Sequence, residues 1–365
     1  MKNSDKDWAV RLIDWYNRGK RTMPWRDNPT PYFVWISEMM LQQTQVSTVI
    51  PFFERFIARF PTVHDLAQSE EQSVLKVWEG LGYYSRARNL LKAAKVVVHE
   101  LNGNIPDSFI SLQCLPGLGP YAAAAIASIA FGEPVPSVDG NFLRVFSRFW
   151  GISIPITNSK IKKDVFSRLQ SVISGVDPSS FNQAVMELGA TLCKPRNPRC
   201  GECPLYPDCW AIKHNKVEQL PIRSRSAKVP HIEVGAAIIW NTDKILITCR
   251  PEGKMLAGLW EFPGGKQEVD ETVEQTIIRE VMEETSLNIQ LIREQGVYRH
   301  AYSHFTLKLH AWHAKVCNAK EIKTELPYQW VRVDQLSNFP FPEVDRKIIR
   351  DLLKIDTKSI IEVSK

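Results

Sequence analysis

The sequence predicts a two-domain protein with a mainly α-helical first half and an α+β second half. Apolar residues repeat at helical spacing through residues 8–212, whereas alternating, strand-like stretches appear only after residue 230. The length of 365 residues suits two domains of ordinary size. We therefore expect domains at residues 1–212 and 231–365, joined by a linker at residues 213–230.

Successive helices are predicted for the first half. Residues 52–60 and 90–98 place apolar side chains three and four positions apart, as one face of a helix requires. Glycine and proline separate these stretches. A Gly- and Pro-rich turn at residues 115–121, followed by the alanine-rich residues 122–131, predicts a hairpin of two helices.

The linker and the second half differ in composition from the first half. Residues 213–230 are polar and basic, contain Pro221 and Pro230, and have few apolar residues. Strands are predicted beyond them at residues 234–240, 244–248, 305–313 and 328–333. Helices are predicted at residues 272–285 and 344–354.

The net charge of +6 is unevenly distributed along the chain. Residues 1–230 carry 28 Lys and Arg against 20 Asp and Glu, whereas residues 231–365 carry 18 against 20. A basic half is a candidate for binding nucleic acid, although basic surfaces are as often simply solvated. Since no stretch approaches the roughly 18 apolar residues of a membrane span, and the N-terminus is too polar for a secretion signal, we expect a cytoplasmic protein with reduced thiols.

Four of the seven cysteines fall within 17 residues, at Cys193, Cys200, Cys203 and Cys209. Their spacing, C-x6-C-x2-C-x5-C, contains one C-x2-C pair, whereas a zinc ribbon uses two separated pairs. Four thiolates on one loop match the ligand set of a 4Fe–4S cluster. Zinc is the alternative that the residues alone leave open.

The hairpin turn has the composition of an anion site. Gly117 and Gly119 allow a ligand to approach the backbone, and Pro120 suits the first position of the following helix. Backbone N–H groups and a helix N-terminus together can bind a DNA phosphate. The alternative is an ordinary helical hairpin without a ligand.

Two carboxylates are candidates for catalysis. Glu38 has no cation three or four positions away, so burial on a helix would raise its pKa and make it a general acid. Asp139 precedes a predicted helix, where it can simply cap the N-terminus. Cleavage of a glycosidic bond needs both an acid for the leaving group and an anion beside the cationic sugar.

Long motifs of this sequence resemble the adenine DNA glycosylases of the MutY family. They are PWR at 24–26, SEMMLQQTQV at 37–46, WEGLGYYSRARNL at 78–90, LPGLGPY at 115–121, VDGN at 138–141 and the four cysteines. The resemblance covers nearly the whole chain. It implies a six-helix module with a helix-hairpin-helix, joined to an iron–sulfur module at residues 193–209, with the active site between them.

The resemblance also implies catalytic roles. Glu38 matches the acid that protonates the departing adenine, and Asp139 matches the carboxylate that stabilises the cationic sugar. Tyr121 occupies the hairpin position where the related endonuclease III-like lyases carry a nucleophilic lysine. Because a phenol cannot form the Schiff base that strand cleavage needs, the resemblance predicts a monofunctional glycosylase.

Several residues are predicted to contact DNA. Gln43 matches a residue that wedges into the base stack when the target base is flipped out. The region around Tyr83 resembles the part of the family that contacts the duplex, and exposed cations of the cysteine loop are phosphate candidates. The predicted DNA-binding residues are Gln43, Tyr83, Arg86, Gly117, Gly119 and Arg26, with Lys194, Arg196 and Arg199 in the loop.

The second half contains a sequence similar to the Nudix box. It begins at Gly265 and has Ser286 where the box has glycine. On a helix, Glu280, Glu283 and Glu284 share one face, which can bind Mg²⁺ in Nudix hydrolases or can simply be solvated. The resemblance implies that this domain recognises 8-oxoguanine opposite the adenine, with Ser303 and His304 as the contacting residues.

The predicted function is therefore excision of adenine opposite 8-oxoguanine or guanine in double-stranded DNA. We expect a monomer that contains a 4Fe–4S cluster and acts in the cytoplasm of a bacterium, associated with the nucleoid. Three alternatives remain: an endonuclease III-like pyrimidine glycosylase/lyase, a Nudix hydrolase of oxidised nucleotides with a DNA-binding module, and a DNA-binding protein without catalysis. Tyr121 argues against the first, and the pair of Glu38 and Asp139 argues against the last.

Overall fold

The computed structural model describes residues 4–222, 229–302, 304–317 and 321–354, which form two compact units. The first unit is Met1–Gln68 with Asn89–Ser226, and the second is Ser69–Arg88 with Ala227–Lys365. The sequence assigns residues 69–88 to the helical half, whereas their contacts place them in the second unit. No helix in the described part of the chain is long and apolar enough to cross a membrane.

Helices make up nearly all of the regular secondary structure described before the predicted linker. Thr30, Asn158 and Asp177 each begin a helix with a side-chain cap, which satisfies a backbone N–H of the first turn. In chain order the helices are α1 (Ser4–Gly19), α2 (Pro24–Asp27), α3 (Pro31–Leu41), α4 (Val46–Arg59), α5 (Val63–Ala67), α6 (Glu71–Trp78), α7 (Ser85–Glu100), α8 (Phe109–Gln113), α9 (Pro120–Phe131), α10 (Gly140–Trp150), α11 (Ser159–Ile173), α12 (Pro178–Thr191) and α13 (Trp210–Lys213).

One aromatic-rich core joins α1, α10, α11 and α12 of the first unit. The ring of Trp8 lies 5.1 Å from that of Phe149 and 5.7 Å from that of Phe146. Three of the four clustered cysteines, Cys193, Cys203 and Cys209, pack against the same core. The cysteine loop is therefore supported by the helix α10, which begins next to Asp139.

Helices α8 and α9 form the predicted hairpin, and α9 packs against α3. The alanines at positions 122–125 and 127 are buried, and their small side chains allow the two helices to approach closely. Gly132, in the left-handed conformation with φ 73°, ends α9. This packing brings Glu38 on α3 next to Tyr121 in the first turn of α9.

The second unit contains a seven-stranded mixed sheet. The strand order is β3-β2-β1-β6-β5, with β4 paired to β1 and β7 paired to β2, and β1 runs parallel to β6. The strands are β1 (His231–Asn241), β2 (Lys244–Cys249), β3 (Trp260–Glu261), β4 (Gly264–Lys266), β5 (Ile289–Ala301), β6 (Thr306–Val316) and β7 (Tyr328–Arg332).

The two faces of this sheet are covered by different helices. Alternate residues of β1 point to opposite faces, so Ile239 packs with α14 (Val273–Thr285) and Ile238 packs with α15 (Glu343–Leu352). The sequence predicted both helices and the strands β1, β2, β6 and β7. It did not predict the long strand β5, because residues 289–301 lack a clear alternation of apolar and polar side chains.

The helix α14 ends at Ser286, the position where the Nudix box has glycine. Ser286 lies in the left-handed region with φ 59°, and its N–H donates to the carbonyl oxygen of Met282. A serine therefore adopts the helix-ending conformation that normally favours glycine.

Within the second unit, α6 and the turn that follows it pack against the sheet domain. The side-chain amide of Gln72 donates to the carbonyl oxygen of Gly258 and accepts from the indole N–H of Trp260. A carboxylate oxygen of Glu79 accepts from the backbone N–H of Phe341 at 2.9 Å. These long-range hydrogen bonds explain why residues 69–88 belong to this unit.

Candidate active site and cysteine loop

Glu38 lies on a helix that is buried on nearly every side, since all residues from Val34 to Met40 are buried. Its side chain is only 4% exposed, and the Tyr121 hydroxyl donates to Glu38 Oε2 at 2.9 Å. Burial raises the pKa of Glu38 to about 7, although the hydrogen bond from Tyr121 opposes this rise. Glu38 can therefore hold a proton near neutral pH, as a general acid requires.

Asp139 is the N-cap of α10, as the sequence allowed. One carboxylate oxygen accepts from the backbone N–H of Phe142, and the other accepts from Nδ2 of Asn141, both at 2.8 Å. Burial raises the pKa of Asp139, and these hydrogen bonds together with the charge of Arg144 oppose the rise. The cap fixes the carboxylate in place and leaves it available to a cation in the adjoining cavity.

One cavity of about 980 Å³ in the first unit is lined by Glu38, Tyr121 and Asp139. The same cavity is lined by Glu187, a residue that the sequence analysis missed. Arg26 Nη2 lies 3.0 Å from Glu187 Oε2, and the guanidinium also donates to Gln183. The cavity is large enough for a purine base.

The two buried glutamates of this cavity have opposite electrostatic environments. Burial would raise the pKa of Glu187, but hydrogen bonds and charge from Arg21 and Arg26 outweigh it and hold the pKa below its ordinary value. No direct ion pair to Glu38 occurs in the part of the chain that the structure describes, so burial dominates there. One glutamate is therefore kept ionised and the other is kept ready to donate a proton.

Arg26 was predicted to contact DNA. Its side chain is only 12% exposed and is held by Glu187 and Gln183 inside the cavity. Such a position suits contact with a base inside the cavity better than contact with a phosphate on the surface. The contact itself stays a prediction.

A second cavity, of about 1030 Å³, adjoins the first and shares Tyr121 and Asp139 with it. Gln43, Gly117 and Gly119 also line this second cavity. The structure therefore brings the predicted wedge residue and the hairpin turn together beside the catalytic candidates. Exposed Gln43 has φ 58°, a left-handed conformation that is unusual for a residue other than glycine.

The two hairpin glycines have different structural reasons to be glycine. Gly117 has φ 77°, and a Cβ at this position would lie 2.4 Å from Cβ of Asn89. Gly119 has an ordinary φ of −74°, and a Cβ there would meet nothing within 4 Å. The backbone therefore requires glycine at 117, whereas at 119 the missing side chain leaves open space in front of the α9 N-terminus.

Arg86, a predicted DNA contact, is buried, and that contact stays a prediction. The residue is 7% exposed, Nη2 donates to the carbonyl oxygen of Gly82, and burial lowers the pKa of Arg86 to about 10. Its guanidinium lies 5.4 Å from the ring of Trp78 and 5.3 Å from that of Tyr83. Arg86 therefore supports Tyr83, which has a left-handed φ of 49°.

The four clustered cysteines line one small cavity of about 30 Å³. Burial raises the pKa of the Cys203 thiol to about 12 and also raises that of Cys200 and Cys209. Thiols with raised pKa values must lose their protons to bind a metal, so a positively charged metal group has to displace those protons. The charge of Arg148 already opposes the rise at Cys200 and Cys209.

The donor set of this cavity fits an iron–sulfur cluster. Arg148 Nη2 is buried and has no hydrogen-bond partner among the described residues, and Arg148 lines the same cavity. Within the described ranges, no group of three or more His, Cys, Asp or Glu side chains is arranged to hold a single metal ion. Bound here, a cluster would hold residues 193–209 together through four thiolates.

The cysteine loop is linked to Asp139 by hydrogen bonds along α10. Arg144 Nε donates to the carbonyl oxygen of Cys193 at 2.8 Å, and Arg144 Nη2 donates to Oδ1 of Asn141 at 2.7 Å. Asn141 in turn donates to Asp139. The exposed loop residues Lys194, Arg196 and Arg199 keep their charges near the surface, so their predicted phosphate contacts remain open.

Two predicted sites belong to the second unit. Ser303 lies outside the described residues, and His304 is exposed in the connection between β5 and β6. On α14, Arg279 Nη1 lies 3.0 Å from Glu280 and 3.3 Å from Glu283.

The third glutamate of this face, Glu284, accepts from the backbone N–H of Gly264 at 3.2 Å. Burial raises the pKa of Glu284 to about 8. A magnesium site on this face would require Arg279 to release its partners and Glu284 to lose a proton.

Comparisons with known proteins agree with this layout. Residues 36–171 match the HhH-GPD superfamily of base excision DNA repair proteins, residues 193–209 match the iron–sulfur binding domain of endonuclease III, and residues 235–351 match the NUDIX domain. Among solved structures, a thermostable thymine-DNA glycosylase is 26% identical, covers 58% of this chain and 98% of its own, and superposes with a TM-score of 0.53.

Curated relatives resemble the whole chain. The adenine DNA glycosylase of Mus musculus is 32% identical over 93% of this chain and 76% of its own length. That of Buchnera aphidicola from Baizongia pistaciae is 32% identical over 95% of this chain and 97% of its own. The match to the endonuclease III domain begins at Cys193 and ends at Cys209, which confirms the predicted iron–sulfur cofactor. The chain therefore belongs to the adenine DNA glycosylase family.

Proposed function

We propose that this enzyme removes adenine opposite 8-oxoguanine, and opposite guanine, by hydrolysis and without cutting the DNA strand. The observation that carries the proposal is the buried pair of Glu38 and Tyr121, which shares one cavity with Asp139. This cavity contains the acid and the anion that cleavage of a glycosidic bond requires. We propose that the enzyme acts as a monomer, with all three residues supplied by the same chain.

Glu38 acts as the acid in this proposal. Its pKa near 7 makes it a proton donor of suitable strength at neutral pH. As the bond between the sugar and the base breaks, the bonding electrons stay with adenine and Glu38 supplies the proton that neutralises it. A positioned acid of this kind contributes about 10²–10⁴-fold to the rate.

Asp139 stabilises the sugar cation that remains. The N-terminus of α10 and the amide of Asn141 hold this carboxylate in place, so it need not reorganise during the reaction. Water then adds to the cationic sugar carbon, gives a proton to the Glu38 carboxylate and leaves an abasic site. A fixed anion beside the sugar is more effective than the same charge in solution, because no solvent has to reorganise around it.

The absence of strand cleavage follows from the residue at the hairpin. Tyr121 offers a phenol that hydrogen-bonds to Glu38, and a phenol cannot form the Schiff base required for β-elimination. Two lysines, Lys20 and Lys194, do line the same cavity. A test of the mechanism must therefore include a chemical trap for a lysine adduct.

Recognition of the lesion is assigned to both units. The cavity lined by Glu38 would receive the flipped-out adenine, and the adjoining cavity beside Gln43 and the hairpin would receive its phosphates, at an unstacking cost of a few kcal/mol. His304 and Ser303 in the NUDIX-like domain are proposed to contact the 8-oxoguanine. The exposure of His304 is compatible with this role.

The proposal is tested with four duplexes that contain adenine opposite 8-oxoguanine, guanine or thymine, or thymine glycol opposite adenine. Half of each sample is treated with alkali, and a parallel sample is treated with borohydride. We expect adenine release from the first two duplexes, strand breaks only after alkali, and no trapped adduct. Breaks without alkali, or excision of thymine glycol instead of adenine, would contradict the proposal.

Two glutamate variants separate chemistry from binding. Glu38→Gln should lower excision by at least about 100-fold while DNA affinity is retained, because the amide cannot donate the catalytic proton. Glu54→Gln, at an exposed position on α4, is the matched control and should excise at the normal rate. Equal rates for the two variants would show that Glu38 is not the acid.

A further inference from the structure

Arg148 is a buried cation next to the cysteine cavity. It lies on α10, is only 2% exposed, and lies outside residues 193–209. Its Nε donates to the carbonyl oxygens of Val217 and Leu220, and its Nη1 donates to that of Lys194. These carbonyl groups fix the plane of the guanidinium.

The same guanidinium points at a cluster ligand. Arg148 Nη1 lies 3.3 Å from the sulfur of Cys193, so this nitrogen donates to that sulfur as well. A second cluster cysteine, Cys209, contacts the backbone of the same residue, with its sulfur 3.6 Å from the carbonyl oxygen of Arg148. By contrast, Arg144 donates to the carbonyl oxygen of Cys193, one turn earlier on α10.

Arg148 Nη2 provides the independent observation. This nitrogen is buried, has no hydrogen-bond partner among the described residues, and belongs to a side chain that lines the cysteine cavity. A buried cationic N–H without an acceptor is strongly unfavourable. The bound cluster offers thiolate and sulfide acceptors in that cavity, so the nitrogen would gain its partner when the cluster is present.

We propose that Arg148 is the charged partner of the iron–sulfur cluster, which it protects from loss and whose reduction potential it raises. A positive charge in a site with little water favours the more negative, reduced state of the cluster. A hydrogen bond to the Cys193 thiolate also disfavours its oxidation and its dissociation from iron. Arg148 thus acts on the cluster as a positioning residue rather than on DNA.

The test uses the intact holoenzyme and three variants. Arg148→Gln removes the charge, Arg148→Lys keeps it but loses the planar donor set, and Lys213→Gln removes an exposed charge four residues after Cys209. The one-electron reduction potential of each protein is measured at an electrode. Cluster loss is followed in air by the decrease in visible absorbance with an iron chelator present.

We expect Arg148→Gln to shift the potential to a more negative value and to accelerate cluster loss by about 10- to 100-fold, the usual range for outer-shell partners of a metal site. Arg148→Lys should restore most of the potential and only part of the resistance to loss. Lys213→Gln should match the wild type in both measurements. An unchanged potential in a folded, cluster-loaded Arg148→Gln protein would overturn the proposal, as would equal shifts for Gln and Lys.

A measurement on the wild type keeps the proposal testable if Arg148→Gln fails to fold. Protein labelled with ¹⁵N-arginine is reduced to make the cluster paramagnetic, and electron–nuclear double resonance then detects nitrogen nuclei near it. We expect a ¹⁵N coupling that disappears in Arg148→Lys. If no coupling is found, or if it persists in Arg148→Lys, the guanidinium does not contact the cluster.

Discussion

The replacement Tyr121→Phe should move the basic limit of the excision reaction to higher pH. The Tyr121 hydroxyl donates to Glu38 Oε2 at 2.9 Å, and this bond stabilises the ionised carboxylate more than the protonated one. Removing the hydroxyl therefore lets burial raise the pKa of Glu38 further. The phenyl ring keeps nearly the same volume, so the cavity should retain its shape.

The expected shift follows from the hydrogen bond that is lost. A hydrogen bond to a charged group contributes about 1.5–3 kcal/mol, and one to a neutral group about 0.5–1.5 kcal/mol. The difference of about 1–1.5 kcal/mol corresponds to about one pKa unit. The pKa of Glu38, about 7 in the wild type, should thus rise to about 8 in Tyr121→Phe.

Single-turnover excision rates between pH 5 and pH 9 measure this shift. Because the protonated Glu38 is the active form, the rate falls as pH rises through its pKa. The ratio of the rate at pH 8 to that at pH 6 should be about five-fold larger in Tyr121→Phe than in the wild type.

The matched control is Tyr32→Phe, which removes a buried hydroxyl that donates to the carbonyl oxygen of Phe60. It should cost about 1 kcal/mol of stability and leave the pH profile unchanged. If the pH above which the excision rate falls is unchanged or lower in Tyr121→Phe, the Tyr121 hydroxyl does not lower the pKa of Glu38.

Three further predictions follow from other contacts. Asp139→Asn should preserve the cap of α10, and hence the free energy of unfolding, but lower the excision rate by at least about 100-fold because the anion is lost. A normal excision rate would show that Asp139 serves only as the helix cap. Gly117→Ala should destabilise the first unit by more than about 1 kcal/mol, because of the positive φ and the clash with Asn89. Gly119→Ala should leave the free energy of unfolding nearly unchanged but weaken DNA binding. Equal losses of stability in the two variants would refute this distinction. The buried ring of His313, whose pKa burial lowers to about 4, is neutral in the folded protein, so the stability it adds is complete above pH 6.5 and is lost as pH falls towards 4. As pH falls from 6.5 to 4, the free energy of unfolding of the wild type minus that of His313→Gln should decrease by up to about 3 kcal/mol. A difference that stays constant over this pH range would contradict the prediction.

Much of the fold could be predicted from local patterns. The helical half, the hairpin at residues 115–121 and four of the seven strands follow from apolar spacing and from the positions of glycine and proline. The strands β3 and β4 contain only two and three residues, too few to show a period. The association of residues 69–88 with the sheet domain depends on hydrogen bonds such as that between Gln72 and Trp260, which local sequence does not encode.

The candidate site was partly predictable, because some of its residues lie in recognisable motifs. The family motifs located Glu38, Asp139 and Tyr121 in the sequence. The resemblance to the family implied their roles. Glu187 was missed because a glutamate in an apolar helix gives no local signal of its partner 161 residues away, Arg26. The regular spacing of Arg144 and Arg148 on α10 was a signal of a shared face that went unused.

The environment of Arg86 was not predictable from the sequence. A basic residue in a DNA-contacting motif suggested a phosphate contact, but packing against Trp78 and Tyr83 removes its charge from the surface. Charge alone did not distinguish an exposed cation from one that supports an aromatic ring.

The left-handed Ser286 changes how the altered Nudix box should be interpreted. Glycine in that motif serves to end the helix, and Ser286 ends α14 in the same conformation, at a strain of about 1 kcal/mol. A lost glycine is usually taken as evidence that a motif is degenerating, but the backbone here is unchanged. The serine therefore shows that this backbone position tolerates conformational strain in a residue other than glycine, and that the end of α14 is kept without the glycine.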